Sequence, residues 1–134
     1  MNFEVFDLAF EQLFHATQQA GEDFKRIMEY ESFCILQKYK QMIWQCREVF
    51  SFNYDLYLMH CTLHDEHTQK MLTVAMDVRL AQFIQLANDM HDAVAQWGQY
   101  VRFNNITLLM NEMLDTIDHS IVFLSDCFQE KGTI

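Results

Sequence analysis

Apolar residues recur along this chain at alternating steps of three and four, the spacing that places them on one face of a helix. The clearest run is Met76, Leu80, Phe83, Ala87, Met90, Val94, Trp97 and Val101, an unbroken alternation of the kind that marks helices packed knobs-into-holes. It carries the helix through Gly98, at a cost of about 1 kcal/mol that a long element bears. Asn104-Asn105 then supplies a break and a cap. The last segment repeats the rule with Ile106, Met110, Met113, Ile117, Ser120, Leu124 and Cys127, before the terminal EKGTI frays.

Toward the N-terminus, Phe3, Phe6, Phe10, Leu13 and Phe14 form a first stripe. Asn2 is its N-cap, and Asp7 sits early, where a carboxylate suits the helix dipole. Ala20-Gly21 is expected to end this helix, since glycine takes the left-handed C-terminal conformation without strain. A second helix is expected to start near Glu22 and to carry Met28, Ser32, Ile35, Tyr39, Met42, Cys46 and Val49 as its seam. Phe33, Leu36, Ile43 and Trp44 widen that face. Ser51-Phe52-Asn53 reads as the next break, with Asn53 capping the helix beyond it.

Extending the long seam backward from Met76 meets Thr73, Gln69, Glu66 and Thr62, all polar, whereas Leu56, Met59 and Leu63 run in another phase. The pattern slips between Leu63 and Leu72. A straight helix from Asn53 to Val101 would measure about 72 Å at 1.5 Å per residue, too long for one small domain. A kink or short loop is therefore expected in HDEHTQK. The reading is all-α: an antiparallel four- to five-helix bundle with a break near residues 63–70, occupying residues 1–134 as a single helical-bundle domain.

Composition supports this picture. At 134 residues the chain is long enough to enclose a core, and with no proline and three glycines it has few obstacles to long helices. Nine basic and nineteen acidic residues give a formal charge of −10. That balance argues against direct binding to nucleic acid or to an anionic membrane, both of which need clustered Lys and Arg. It favours solubility, and it favours docking on a partner protein with a basic surface. Cys34, Cys46, Cys61 and Cys127 lie far apart, with no CxxC pair and no zinc-finger spacing. The acidic MNFEVFDLAF lacks the basic start of a signal peptide, and no stretch approaches a membrane span. The expected setting is a reducing cytoplasm.

Candidate chemistry is sparse. His60, His64 and His67 fall at roughly 0°, 40° and −20° around an ideal helix, so one face could offer three imidazoles to Zn²⁺, with Cys61 or Asp65 as a further ligand. The slip in the seam inside this cluster would scatter them, and no HExxH or ExxH pair accompanies them. Glu112 and Asp115, three residues apart, suit a shared Mg²⁺, as in a small nucleotide hydrolase. Such enzymes use a second acidic pair, which is missing here; Glu29-Tyr30-Glu31 does not have the spacing. Asp115, Asp118 and His119 form an acid–base triplet without a nucleophile. The methionines at 28, 42, 76, 90, 110 and 113 occupy seam positions and read as core filler. Aromatic residues off the seam are more telling: Phe50, Phe52, Tyr54 and Tyr57 cluster near one break, and Trp97, Tyr100 and Phe103 near another. Surplus Tyr and Trp suit an interface.

The leading expectation is a non-enzymatic acidic protein, without cofactors, that binds and inhibits or escorts another protein. Bacteriocin and toxin immunity proteins and phage-type inhibitors of host defence nucleases share its size, charge and helix class, and mimicry of nucleic-acid charge is one route to inhibition. Secretion chaperones share these features too. Glu29, Glu31, Tyr54, Asp55 and Tyr57 are the expected partner contacts, and a homodimer is a further expectation. The alternatives are a metal-binding bundle built on His60, His64 and His67, and a Mg²⁺-dependent hydrolase built on Glu112 and Asp115.

Overall fold

The computed structural model describes residues 2–98 and 104–130. Four helices occur in order: α1 (Phe3–Arg26), α2 (Tyr30–Thr62), α3 (Glu66–Trp97) and α4 (Asn104–Glu130), and no strand occurs among the described residues. Each helix packs on the next and α1 closes back on α4, giving the all-α antiparallel bundle that the periodicity predicts. There is no fifth helix among the described residues. Val101, Tyr100, Phe103 and the end of the chain from 131 to 134 lie outside them.

The two strongest sequence runs form the core. Met76, Leu80, Phe83, Ala87 and Met90 of α3 are buried, as are Ile106, Met110, Met113, Ile117, Ser120 and Leu124 of α4. Two buried hydroxyls turn to their own helix backbone: Ser120 Oγ of α4 donates to the Ile117 carbonyl, and Thr17 Oγ1 of α1 donates to that of Leu13. The α3 helix spans Glu66–Trp97, with Gly98 as its C-cap in a right-handed conformation, and the expected continuation to Val101 lies outside the described residues.

Both expected boundaries of the first half are corrected. Gly21 does not end α1. It is buried inside the helix, and a Cβ placed there would lie 3.6 Å from Phe33 and 3.8 Å from the Leu36 Cβ, ordinary contact distances. The helix continues because Phe24, one turn on, is itself core. It stops at Ile27, where the Glu29 amide donates to the Phe24 carbonyl (2.9 Å) and the Met28 amide to that of Lys25 (3.1 Å). This is a Schellman closure. Its left-handed residue is Met28, at φ 62°, and α2 begins at Tyr30 rather than near Glu22.

The break at Ser51-Phe52-Asn53 is absent. Asn53 is fully buried within α2, and its Nδ2 donates to the Val49 carbonyl at 2.8 Å and across to the Arg79 carbonyl at 3.4 Å. A residue that caps helices when exposed serves here as a link between two of them. The expected break at 63–70 does occur. Leu63 closes α2, and Asp65 caps α3 by accepting from the Thr68 amide and hydroxyl, both at 3.0 Å. The Gln69 side chain turns back to donate to the carbonyls of His60 and Leu63, satisfying the open end of α2.

Candidate functional site

The three histidines do not share a face. His60 ends α2 and is buried; His64 lies in the turn and His67 in the first turn of α3, both exposed. The Thr73 hydroxyl gives its proton to the Gln69 carbonyl at 2.9 Å, so it accepts from His60 Nε2–H at 3.2 Å, which fixes that tautomer. His60 is thus part of the lock between α2 and α3. Among the described residues no group of three or more His, Cys, Asp or Glu is placed to hold a metal ion. The helix break scatters the rings.

The expected partner contacts divide between the two ends of the molecule. Glu29 and Glu31 flank the α1–α2 turn, whereas Tyr54, Asp55 and Tyr57 lie some 24 residues along α2, about 35 Å away. They cannot form one acidic–aromatic patch. Tyr54 and Tyr57 are half-buried because the start of α1 and the end of α4 meet them. Tyr54 stacks on Phe3 at 4.7 Å between ring centres and lies 5.8 Å from Phe123. The Tyr57 hydroxyl donates to Glu130 Oε2 at 3.2 Å. Burial raises both phenols, and for Tyr57 the neighbouring Cys61 thiol and Glu130 raise it further. Phe50, fully buried, gathers Phe3, Phe6, Phe10, Phe83 and Phe123 around it. Of the aromatics that the sequence sets near the Ser51-Phe52-Asn53 stretch, Phe50, Tyr54 and Tyr57 therefore pack at this end of the core; Phe52 remains exposed, with the Arg79 guanidinium over its ring at 5.4 Å.

Burial pushes the Cys46 thiol up to about 12, and burial, then the charges of Glu130 and Asp126, pushes Cys127 up to about 11, so neither is a thiolate at neutral pH. Asp118 turns toward α3, where both its oxygens meet His91 Nε2 at 2.9 and 3.0 Å. Asp115 and His119 face the other way, so the triplet is split.

The structure instead assembles a surface that no local motif announces. Three hollows of about 260, 330 and 370 Å³ succeed one another along the seam between α1 and α4. They share Ala16 and Glu112 at one junction and His119 at the other, so they form one groove. It is about 30 Å long, the rise of some twenty helical residues. The floor is apolar: Phe6, Leu13, Ala16 and Ala20 of α1 with Leu109 and Phe123 of α4, and the exposed Val122 stands at its edge. On the α1 side its wall is built partly from small residues, Ala9, Ala16 and Ala20. Asp23, Glu112, Asp115 and Asp126 line its rims; Asp23 is already paired with Arg26 at 2.9 Å, and no Lys or Arg lines the groove itself among the described residues.

Glu112 and Asp115 therefore do face a common space, as their spacing predicts. The α1 wall opposite them, however, offers Ala9, Gln12, Leu13 and Ala16. No second acidic pair meets them there. The alanines at 9, 16 and 20 were the signal available in the sequence, a small-residue stripe beside the phenylalanine stripe of α1. No described helix is long and apolar enough to cross a membrane. Comparison with known protein families, with curated sequences and with solved structures finds no match to this chain.

Proposed function

We propose that this chain is a non-enzymatic binding protein that holds a basic, amphipathic helix of another protein in the groove between α1 and α4. The observation that carries this reading is the groove itself: an apolar floor about 30 Å long between carboxylates with no cation on its walls among the described residues. A helix laid there buries its apolar face on Leu13, Leu109 and Phe123, while Lys or Arg on its flanks meets Glu112, Asp115 and Asp126. The chain's formal charge of −10 steers such a partner from a distance.

Inhibition results where the captured helix belongs to the partner's own nucleic-acid-contacting surface, as for an immunity protein or a phage-type nuclease inhibitor. Escort results where the helix is one that needs covering before assembly. Both use the same groove. Capture at low salt from the source cell, with bound proteins identified by mass, supplies the partner for a direct test. Its association rate should fall steeply with ionic strength, since screening sets in beyond about 10 Å at 0.1 M. Reversing Glu112 and Asp115 together (E112K with D115K) should weaken binding at least tenfold. A partner whose rate ignores salt, or that binds the reversed groove equally well, defeats the proposal.

A further inference from the structure

The side of the bundle away from that groove carries the opposite character. On α3, Met71, Val74 and Val78 are 60%, 64% and 50% exposed, and they keep a three-four step on the face turned away from the buried Leu72, Met76 and Leu80. They line a shallow hollow of about 580 Å³ with His67, Lys70, Arg79 and Gln82, so its charged residues are cations. On α2, Phe52 and Met59 are one heptad apart and share a face, and Leu63 comes one turn after them. All three are more than 40% exposed. The Arg79 guanidinium over Phe52 shows that this face of α2 adjoins α3.

The cross-links Tyr39 to Ala93, Asn53 to Arg79, His60 to Thr73 and Gln69 to Leu63 set the register of α2 against α3. By it, Met59 is level with Thr73 and Val74, Leu63 with Gln69 and Lys70, and Asp55 with Asp77 and Val78. Six large, exposed apolar side chains thus lie at neighbouring levels on the outer surfaces of α2 and α3, joined across the seam where Arg79 covers Phe52.

We infer that this face is a homodimer interface, in which the outer α2–α3 surface of one copy packs on the same surface of a second. The size fits. Six half-exposed side chains of this kind present roughly 600 Å² of apolar area, at the upper end of what a monomer normally leaves uncovered, and the flanking polar residues bring the patch near the ~800 Å² per partner of a standard interface. The register also fits. A two-fold axis parallel to the helices lays α3 of one copy along α2 of the other, so Val74 meets the level of Met59 and Met71 that of Leu63. The same operation brings Arg79 beside Phe52 and near Asp55 of the second copy, an opposite charge. A chain of charge −10 can meet itself here, where Lys70 and Arg79 offset nearby acids, and not at the α1–α4 groove with its four carboxylates. Because α2–α3 and α1–α4 are opposite sides of the bundle, the dimer leaves both grooves open and facing outward.

Sedimentation equilibrium of the full chain, over a range of micromolar to millimolar concentration, should show reversible association to twice 16.1 kDa. Val74→Glu and Met71→Glu, both at exposed sites, should each weaken association at least tenfold with the far-ultraviolet dichroism unchanged. Asp115→Lys, in the groove, should leave association as it was. A mass of 16.1 kDa throughout, dimers indifferent to both α3 substitutions, or dimers lost with Asp115→Lys would overturn the assignment. Groove binding is read separately, so either proposal can fail without the other.

Discussion

The α2–α3 and α1–α4 seams are built from the same apolar periodicity, yet one is pinned and the other is open. Across α2–α3, Tyr39 donates to the Ala93 carbonyl at 3.1 Å, Asn53 reaches that of Arg79, His60 meets Thr73, and Gln69 covers the end of α2. A short turn, Leu63 to Asp65, joins the two helices directly. Among the described residues no hydrogen bond or ion pair joins α1 to α4, and the contact relies on packing such as Phe6 against Phe123 at 5.4 Å. Both α1 and α4 are tied elsewhere. Arg47 of α2 holds Asp7 of α1 at 2.9 Å, a bond that, with burial opposing it, raises the guanidinium further, and His91 of α3 holds Asp118 of α4. Polar links inside a seam fix its register and close it. A seam held only by small and apolar residues is free to leave a groove, and so to present one to a partner.

The largest effect is expected where both seams converge. Phe50→Ala removes the ring shared by α1, α3 and α4, and should cost about 3–5 kcal/mol in chemical denaturation, with all four helices melting in one transition. If α1 and α4 melt apart from α2 and α3, the two seams are independent units and no shared core links them. A smaller effect should come from the pinned seam alone. Tyr39→Phe leaves the Ala93 carbonyl without this donor and should lower stability by about 1 kcal/mol, read by the same titration. Burial holds the Tyr39 phenol up at about 12, so this link persists through the ordinary alkaline range and is lost only as pH rises past that value.

Two substitutions, one in the α1–α2 turn and one inside α1, offer tests of similar size and of sign opposite to Tyr39→Phe. Met28 sits in the left-handed region and is 74% exposed, so Met28→Gly relieves strain without losing contacts and should stabilise by about 1 kcal/mol. Gly21→Ala, inside a helix with room for a Cβ, should also stabilise, by up to about 1 kcal/mol. If Gly21 were instead the left-handed terminator, alanine there would destabilise the fold. On the open seam, Ala16→Leu should change stability by less than about 0.5 kcal/mol while obstructing the groove floor, so a calorimetric melt near wild type with lost partner binding is the expected pair of results.

The smallest effect concerns acid. The Thr68 backbone amide, and then its hydroxyl, hold the Asp65 carboxyl below the usual aspartate range. A carboxylate lowered in the folded state contributes stability that is present above its unfolded pKa, about 3.9, and is lost as pH falls through the lowered folded value. Hydrogen exchange at Thr68 should therefore quicken only in that acidic window, and Asp65→Asn should move or remove the change.

Legibility tracked the strength of the local signal. Met76 through Met90, and Ile106 through Leu124, appear in the structure as they appear in the sequence, because many successive residues agree on one face. The phase slip at Leu63 located the α2–α3 turn. The first half misled for a specific reason: Gly21 and Asn53 are terminators by type, but each is buried, and burial overrides type. The true terminator was Met28, a residue with no left-handed preference, held there by two backbone hydrogen bonds that no sequence pattern encodes. The candidate contacts Glu29, Glu31, Tyr54, Asp55 and Tyr57 are divided between two ends of α2, because similarity in residue type is not nearness in space.

Periodicity alone determined that this chain is helical, where its third and fourth helices run, and that a break separates Leu63 from Glu66, since a helix face is a local property of three- and four-residue steps. Which seam closes and which stays open was decided only in the folded bundle. Asp23 and Glu112, or Phe6 and Phe123, share a wall because antiparallel packing brings together residues about a hundred positions apart, and no step of three or four reports on that distance.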